Sequence, residues 1–540
     1  LENLSQKRKI SIMIAIMAAM FFAAINQTIV GTALPRIIAI LGGMEYYTWV
    51  MTIYMLTSTI ATVLVGKLSD IYGRKPFILT GIVVFMIGAF LCGTSADIFQ
   101  LIIYRGVQGL GAGIIMATSF TAIGDLFSPR ERGKWAGLMS SVFALSSVLG
   151  PALGGYIVDH MNWYWVYWIF LPLGIVAFVM ILILFPKVER NKAESIDYWG
   201  SLFLTLTIVP LLLAFSWAGS KYDWASTEII SLFAGTVVAL VIFLMIETRV
   251  KTPVLPLSLF KNGIVTLSNV IGFILNAGMM GAIMYIPFFT QGVLGISPTY
   301  SGYITMPMML SMLVASTLSG QFMTKTGKYK KLALLGMVLL IAGMLMMHYM
   351  DSALMAILSM IVFGLGLGPA MSVFSLVIQN AVAPTQLGVV TASNQLFRNL
   401  GGTIGVAIMG TLMNHGITSR FKDQAASGQG VDLSKFDPAV QEQLAAFQNP
   451  QVLLNQPKLE EAINQAPAQM HDLLLKMVDN LKDALSHSLG IIFLYGAALL
   501  LIGFILTFFL KEIPLRTSNK GKTKSEPQKM AEDKAEPTTV

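Results

Sequence analysis

The sequence predicts an all-α membrane protein with fourteen transmembrane helices. Three observations carry this. Of the 540 residues 55% are hydrophobic and 12% charged, with a mean hydropathy of +0.70, whereas a soluble chain carries roughly 25% charged residues. The apolar residues gather into runs of about 20, the length that crosses a bilayer core. Lys and Arg concentrate in alternate loops, the pattern that marks the cytoplasmic side. The charge deficit excludes most soluble enzymes and, despite the net charge of +8, a nucleic-acid-binding role.

The fourteen runs are approximately 10–33, 46–66, 77–96, 99–122, 135–158, 164–186, 198–217, 227–247, 264–286, 299–322, 332–350, 354–377, 389–413 and 489–511. The first follows Lys7, Arg8 and Lys9; it is too long for a signal-peptide core and lacks a cleavage site, so it reads as an uncleaved span. The amino terminus, the loops near 67–75, 130–134, 187–192, 249–261 and 325–331, and the tail from Lys511 hold 26 of the 36 Lys and Arg. Both termini are therefore expected in the cytoplasm. The opposite loops are short except for 414–488, which carries six basic and nine acidic residues and should face outside. There Leu473, Met477, Leu481 and Leu485 recur at helical spacing, so short amphipathic helices over the outer mouth are expected. The tail 512–540 has too little apolar content to bury a core and is expected to be disordered.

Three segments are unusual for plain spans. Gly66-Lys67-Leu68-Ser69-Asp70-Ile71-Tyr72-Gly73-Arg74-Lys75 is a charged turn between the second and third runs. Gly66 and Gly73 permit a tight turn and close helix approach, and Asp70 can sit against a positive helix N-terminus. In the fourth run, Arg105 precedes Gln108 and the glycines Gly109, Gly111 and Gly113. An arginine at that depth must face protein or water, because burying its charge in lipid costs several kcal/mol. The fifth run places Gly137, Ser146, Gly150, Pro151, Gly154 and Gly155 at spacings that suit a packing seam with a proline kink.

These segments resemble motifs of the major facilitator superfamily. The Gly66 loop resembles its signature loop, with Ile71 where a basic residue is usual, and the Arg105 segment resembles its second motif. The fifth run resembles the antiporter motif of drug exporters, with Ser146 in place of Gly. A weaker copy of the loop, Gly320-Gln321-Phe322-Met323-Thr324-Lys325-Thr326-Gly327-Lys328, follows the tenth run, with Thr324 at the position of Asp70. If each half is a six-helix repeat, two helices must lie between the halves. That arrangement is similar to the fourteen-helix drug:proton antiporter family, which Thr252-Pro253-Val254-Leu255-Pro256-Leu257 and Gly388 to Gly410 also resemble. The resemblance implies the major facilitator fold: a six-helix bundle over 10–186, two inserted helices over 187–263, and a second six-helix bundle over 264–511.

It also implies a multidrug efflux transporter in a cell membrane, of bacterial type and monomeric. Such a protein exports amphipathic compounds in exchange for protons by alternating access. The first run ends Ile25-Asn26-Gln27-Thr28, and the family has Asp where Asn26 stands. That acid is implied to be the coupling residue, and an amide cannot titrate. Glu45, Asp197, Glu228 and Glu247 all fall near span ends. Three readings stay open: a position deliberately neutralised, a coupling acid at a span edge, or transport without protons. The segments Asn162–Trp165 and Ile169–Pro172 also depart, with Tyr164 and Phe170 where the family has Arg and Asn.

Polar or aromatic groups on apolar spans are the candidate cavity residues: Asn26, Tyr54, Gln108, Asn269, Phe273, Asn276, Tyr285, Asn394 and Arg398. Arg398 could bind an anionic group, belong to an inner gate, or pair with backbone carbonyls. Cys92 has no partner cysteine and the five histidines show no ligand spacing, so no metal or cofactor is expected. Neither H-E-x-x-H nor G-x-S-x-G occurs, which argues against a membrane enzyme. The competing reading is an exporter or flippase of lipid-like or anionic metabolites, encouraged by Arg105 and Arg398.

Overall fold

The computed structural model describes residues 4–41, 47–186, 197–218, 222–296, 298–383, 386–427, 453, 456–465 and 468–513. The expected disordered tail, Glu45 and most of the stretch between 428 and 455 lie outside the described residues. The elements are α1 (Gln6–Leu41), α2 (Tyr47–Tyr72), α3 (Arg74–Gly93), α4 (Ile98–Leu126), α5 (Pro129–His160), α6 (Trp165–Trp168), α7 (Leu171–Leu184), α8 (Tyr198–Trp217) and α9 (Thr227–Glu247). They continue with α10 (Gly263–Pro287), α11 (Pro298–Thr326), α12 (Lys330–His348), α13 (Ala353–Asn380), α14 (Leu387–Ala426), α15 (Gln456–Gln465) and α16 (Ala468–Phe508). Thirteen helical segments are long and apolar enough to cross a membrane. With α5, a helix of 32 residues in the expected place, the fourteen runs of the sequence are accounted for.

Polar residues set the helix starts. Asp97 accepts a hydrogen bond from Gln100 N at 2.9 Å to open α4, and Asp197 accepts from Gly200 N at 2.8 Å to open α8. Ser226 and Ser352 do the same for α9 and α13. Each satisfies an amide that the first turn leaves unpaired. Proline shapes the interruptions. The run 164–186, expected as one helix, is broken between α6 and α7, with Pro172 at the start of α7. Beyond Pro287, α10 passes into a π-helical turn, Phe288–Val293.

The stretch 414–488 differs from the expected set of separate short helices. α14 runs on for 40 residues to Ala426, and α16 begins at Ala468, so Leu473, Met477, Leu481 and Leu485 belong to the same helix as the last span. At 1.5 Å per residue, helices of this length overreach a bilayer core of about 30 Å. Among the described residues of this stretch, α15 is the one separate short helix. Arg420 Nε donates to Asp483 Oδ2 at 2.9 Å, and Gln424 Nε2 donates to the same oxygen at 3.0 Å, joining the two extensions.

The packing has a repeated plan. In the first half α1 packs on α5 and α7, and α4 packs on α2 and α3. In the second, α10 packs on α14 and α16, and α13 packs on α11 and α12. The weak sequence repeat thus corresponds to a structural one. Gly73 (φ 85°) and Gly327 (φ 71°) turn the chain at the same point of each half, in a backbone region that glycine occupies without steric cost. The halves meet through α2 against α14 and α5 against α11 and α13. α8 and α9 pack on each other, and α8 also touches α2 and α14, so the inserted pair lies beside one of the two seams.

Candidate functional site

Below, the basic side is the end of the helices bearing the Gly66–Lys75 loop, and the far side is the opposite end. On the basic side Asp70 spans the two halves. Its Oδ1 accepts from Gly388 N and its Oδ2 from Val389 N, both at 3.1 Å, so the carboxylate caps the first turn of α14. That turn has no acidic residue of its own. Arg74 Nη2 donates to Asp70, its Nε donates to Asp125 Oδ2 at 3.0 Å, and its Nη1 donates to Ser69 Oγ at 2.7 Å. The Asp70 and Arg74 side chains are 6% exposed, which makes this a desolvated, charge-assisted contact. Close approach is what allows it: a Cβ on Gly388 would collide with the Gly66 carbonyl and with the Asp70 carboxylate.

The glycines of α5 face two ways. Gly137 lies against Ser316 of α11, whose Oγ donates to the Gly137 carbonyl at 3.4 Å. Gly150 instead faces Thr28 of α1, and Thr28 Oγ1 donates to the Ser146 carbonyl at 2.9 Å. Ser146 Oγ bonds within its own helix to the Val142 carbonyl, and Gly154 is buried. Pro151 and Gly155 are helical, and their surroundings fall outside the described residues. Further bonds across the halves are Gln379 Nε2 to the Phe120 carbonyl at 3.4 Å and Asn399 Nδ2 to Thr59 Oγ1 at 3.0 Å. Among the described residues, every hydrogen bond between the halves lies at or on the basic side of Thr59–Asn399. The molecule is closed there.

In the first half four predicted residues come together. Gln108 Nε2 donates to Asn26 Oδ1 at 2.9 Å, and Arg105 Nη1 donates to Gln108 Oε1 at 2.7 Å. The Arg105 guanidinium lies 4.2 Å from the Tyr54 ring centroid, and its Nε reaches the Val50 carbonyl at 3.4 Å. Asn26, Arg105 and Gln108 are fully buried. Arg105 is therefore satisfied by neutral groups, with no carboxylate among them. Asn26 Nδ2 is buried with no hydrogen-bond partner, a costly arrangement for an amide. A carboxylate at this position would present no such donor.

In the second half the polar residues mainly join α10 to α14. Asn394 Nδ2 donates to Asn269 Oδ1 at 3.2 Å, and Asn269 Nδ2 to Ser393 Oγ at 3.0 Å. Asn276 Nδ2 donates to the Arg398 carbonyl at 2.6 Å, and Tyr285 Oη to the Val406 carbonyl at 3.1 Å. The Phe273 backbone sits against Gly401. Arg398 points its guanidinium at Met371 of α13, with Nη2 2.9 Å from the sulfur. Among the edge acids, Asp197 and Glu247 meet: a Cβ on Gly200 would touch both carboxylates.

Sequence reasoning missed several participants. Cys92 approaches Gln108 Oε1 at 3.9 Å, and Tyr167 is fully buried with an unpartnered hydroxyl. Tyr167 lies in the run Trp163-Tyr164-Trp165-Val166-Tyr167-Trp168, which in a sequence reads as an interfacial aromatic belt. Asp125, a partner of Arg74 in the Asp70 bridge, carries no local signal, and the role of Gly388 in that bridge was not legible, because the contacts that distinguish both are distant in sequence.

Two repeated helical halves, closed on one side by a charged contact and carrying buried polar groups at their centres, define a membrane transporter rather than an enzyme. The chain belongs to the major facilitator superfamily, whose family model matches residues 16–406. It is 38% identical over 521 residues to the multidrug transporter protein MdtP of Bacillus subtilis, covering 95% of each chain. It is 34% identical over 435 residues to multidrug resistance protein 3 of the same organism, covering 79% of this chain and 85% of the relative. Among solved structures, the human organic anion transporter MFSD10 shares the fold at a TM-score of 0.62 with 14% identity, covering 92% of this chain and 99% of that one.

Proposed function

We propose that this chain exports amphipathic compounds across a cell membrane by alternating access, as a monomer with its basic side and both termini in the cytoplasm. The reading rests chiefly on the similarity to proteins named multidrug transporter protein MdtP and multidrug resistance protein 3. The geometry supports the mechanism. A closed basic side held by Asp70, Gly137 and their partners leaves the far side free to open, and release of those contacts would let the halves rock the other way. Asp70 would then act as a conformational latch. The glycines of α5 would serve as its sliding surfaces.

Proton coupling turns on Asn26. With an amide there the chain should bind amphipathic drugs but show little proton-driven export, and Asn26→Asp should add coupling. A carboxylate held through Gln108 near the Arg105 guanidinium would have its charge compensated, and burial would oppose ionisation, so protonation could follow the opening of each side. The test is efflux of an amphipathic dye from proteoliposomes under an imposed pH gradient, for the unaltered chain and for Asn26→Asp. Gradient-driven accumulation by the Asn26 protein would place the coupling acid elsewhere, with the Asp197–Glu247 pair the next candidate.

A further inference from the structure

The two intramembrane arginines differ in what their charge meets. Arg105 is fully buried and its guanidinium is taken up by Gln108, the Val50 carbonyl and the Tyr54 ring. Arg398 is held by everything except its charge. Its carbonyl accepts from Asn276, and its side-chain stem lies in the space left by Gly272, where a Cβ would stand 3.2 Å from Arg398 Cγ. The head has five N–H donors. The acceptor it meets is a thioether sulfur, Met371 Sδ, a weak one.

Its location makes this consequential. Arg398 is eleven residues into α14, about 16 Å along the helix at 1.5 Å per residue, or near the middle of a bilayer core. It is partly exposed there. The helices around it, α10, α13 and α14, all touch one another, and α13 and α14 also pack on the first half. Arg398 thus lies where α10, α13 and α14 meet, on helices that carry the contact between the halves. No Asp or Glu in the sequence lies at comparable depth in any span. The interior therefore holds a fixed, clamped cation with open donors and no counter-charge.

We propose that Arg398 is the charge-selecting group of the transport path, and that the preferred cargo is an amphipathic carboxylate whose head binds the Arg398 guanidinium. This rests on the export reading above and narrows its substrate class. A guanidinium fixed by its stem presents a planar fork to a carboxylate, which accepts two parallel hydrogen bonds. Phe273, beside Gly272 on α10, and Met371 offer apolar surface for the body of the molecule. A cationic amphiphile meets like charge at the same place.

The test uses the full chain in nanodiscs of zwitterionic lipid and two fluorescent probes of equal length, 11-(dansylamino)undecanoic acid and its neutral methyl ester. The acid should bind at least about tenfold more tightly, a difference of about 1.4 kcal/mol. Arg398→Gln should bring the acid to the affinity of the ester, and Arg398→Lys should recover part of the preference. A monodisperse elution profile and an unchanged thermal unfolding midpoint for each variant serve as the folding control. Met371→Glu, which gives the guanidinium an internal counter-ion while keeping Arg398, should also abolish the preference. Equal affinity for acid and ester in the unaltered chain, or an acid preference that survives Arg398→Gln or Met371→Glu, overturns the assignment. Proteoliposome efflux separates the two levels. Export of the ester without acid preference sinks only the role of Arg398, whereas export of neither probe sinks the export reading.

Discussion

The two loops that repeat in the halves, Gly66–Lys75 and Gly320–Lys328, share a backbone and differ in chemistry. Both follow the second helix of their half and turn on a glycine with positive φ, Gly73 and Gly327. The first carries Asp70, which caps α14 from across the seam. The second carries Thr324, whose hydroxyl donates to the Gly320 carbonyl in its own helix at 2.8 Å. The reason lies in the helices opposite. The first turn of α14 has no acid, whereas α5 opens with Ser128 and Glu131, and the Glu131 carboxylate accepts from Ser128 N at 3.3 Å. One helix start is capped in trans by the other half, and one is capped by its own sequence. The Asp70 cap forms when the halves are together, so it can report their closure.

That contrast can be broken most severely at the close approach itself. Gly388→Val would drive a side chain into the Gly66 carbonyl and the Asp70 carboxylate, and overpacking of this kind costs about 1–3 kcal/mol. Closure on the basic side should be lost and efflux nearly abolished, while membrane insertion is preserved. Spin-label distances between the basic ends of α2 and α14 would check this, and unchanged distances would show that the seam yields easily.

Asp70→Asn should have the next largest effect. It keeps the shape but removes the charge that faces the α14 amides and Arg74, an interaction of up to about 2 kcal/mol for a partly buried helix-end contact. Efflux should fall about tenfold with substrate binding retained. Full efflux at normal expression would mean that the bridge does not govern the cycle.

The smallest effect is expected from Thr324→Asp, which adds an acid to the second loop. The Gly137–Ser316 contact brings that loop level with the start of α5, since Thr324 lies eight residues beyond Ser316 and Pro129 eight before Gly137. An acid there adds a second negative charge at the level of the α5 start that Glu131 already caps, so efflux should drop by about twofold, in keeping with a like-charge cost of a few tenths of a kcal/mol. Combining it with Glu131→Gln should restore the rate. A gain of efflux from Thr324→Asp alone would show that the second seam can accept a latch of its own.

Much of the architecture was legible because it follows from one-dimensional rules. A bilayer demands apolar runs of fixed length whose backbone bonds close within each helix, so the all-helical architecture and the positions of the long apolar helices could be read from hydropathy and spacing. The Asp70 contact was legible as chemistry, a carboxylate able to cap a helix, but its target was not. Gly388 and Val389 are more than 300 residues away, and amides freed at a helix start look alike in every sequence. Continuity was harder still. Nothing in 414–488 marks α14 and α16 as carrying on past the bilayer, since polar helices outside a membrane need only mutual contacts such as Arg420–Asp483.

The same division holds at the polar centres. By itself the sequence determined which groups lie in apolar spans and that no acid accompanies Arg105 and Arg398, because those are facts of composition and position. The tertiary structure decided what each group meets. It brought Gln108 between Asn26 and Arg105, left the Asn26 amide without an acceptor, and set Arg398 against a sulfur rather than an oxygen. Hydrogen bonds are satisfied by neighbours in space over about 3 Å, and helices packed across a bilayer draw those neighbours from anywhere in the chain.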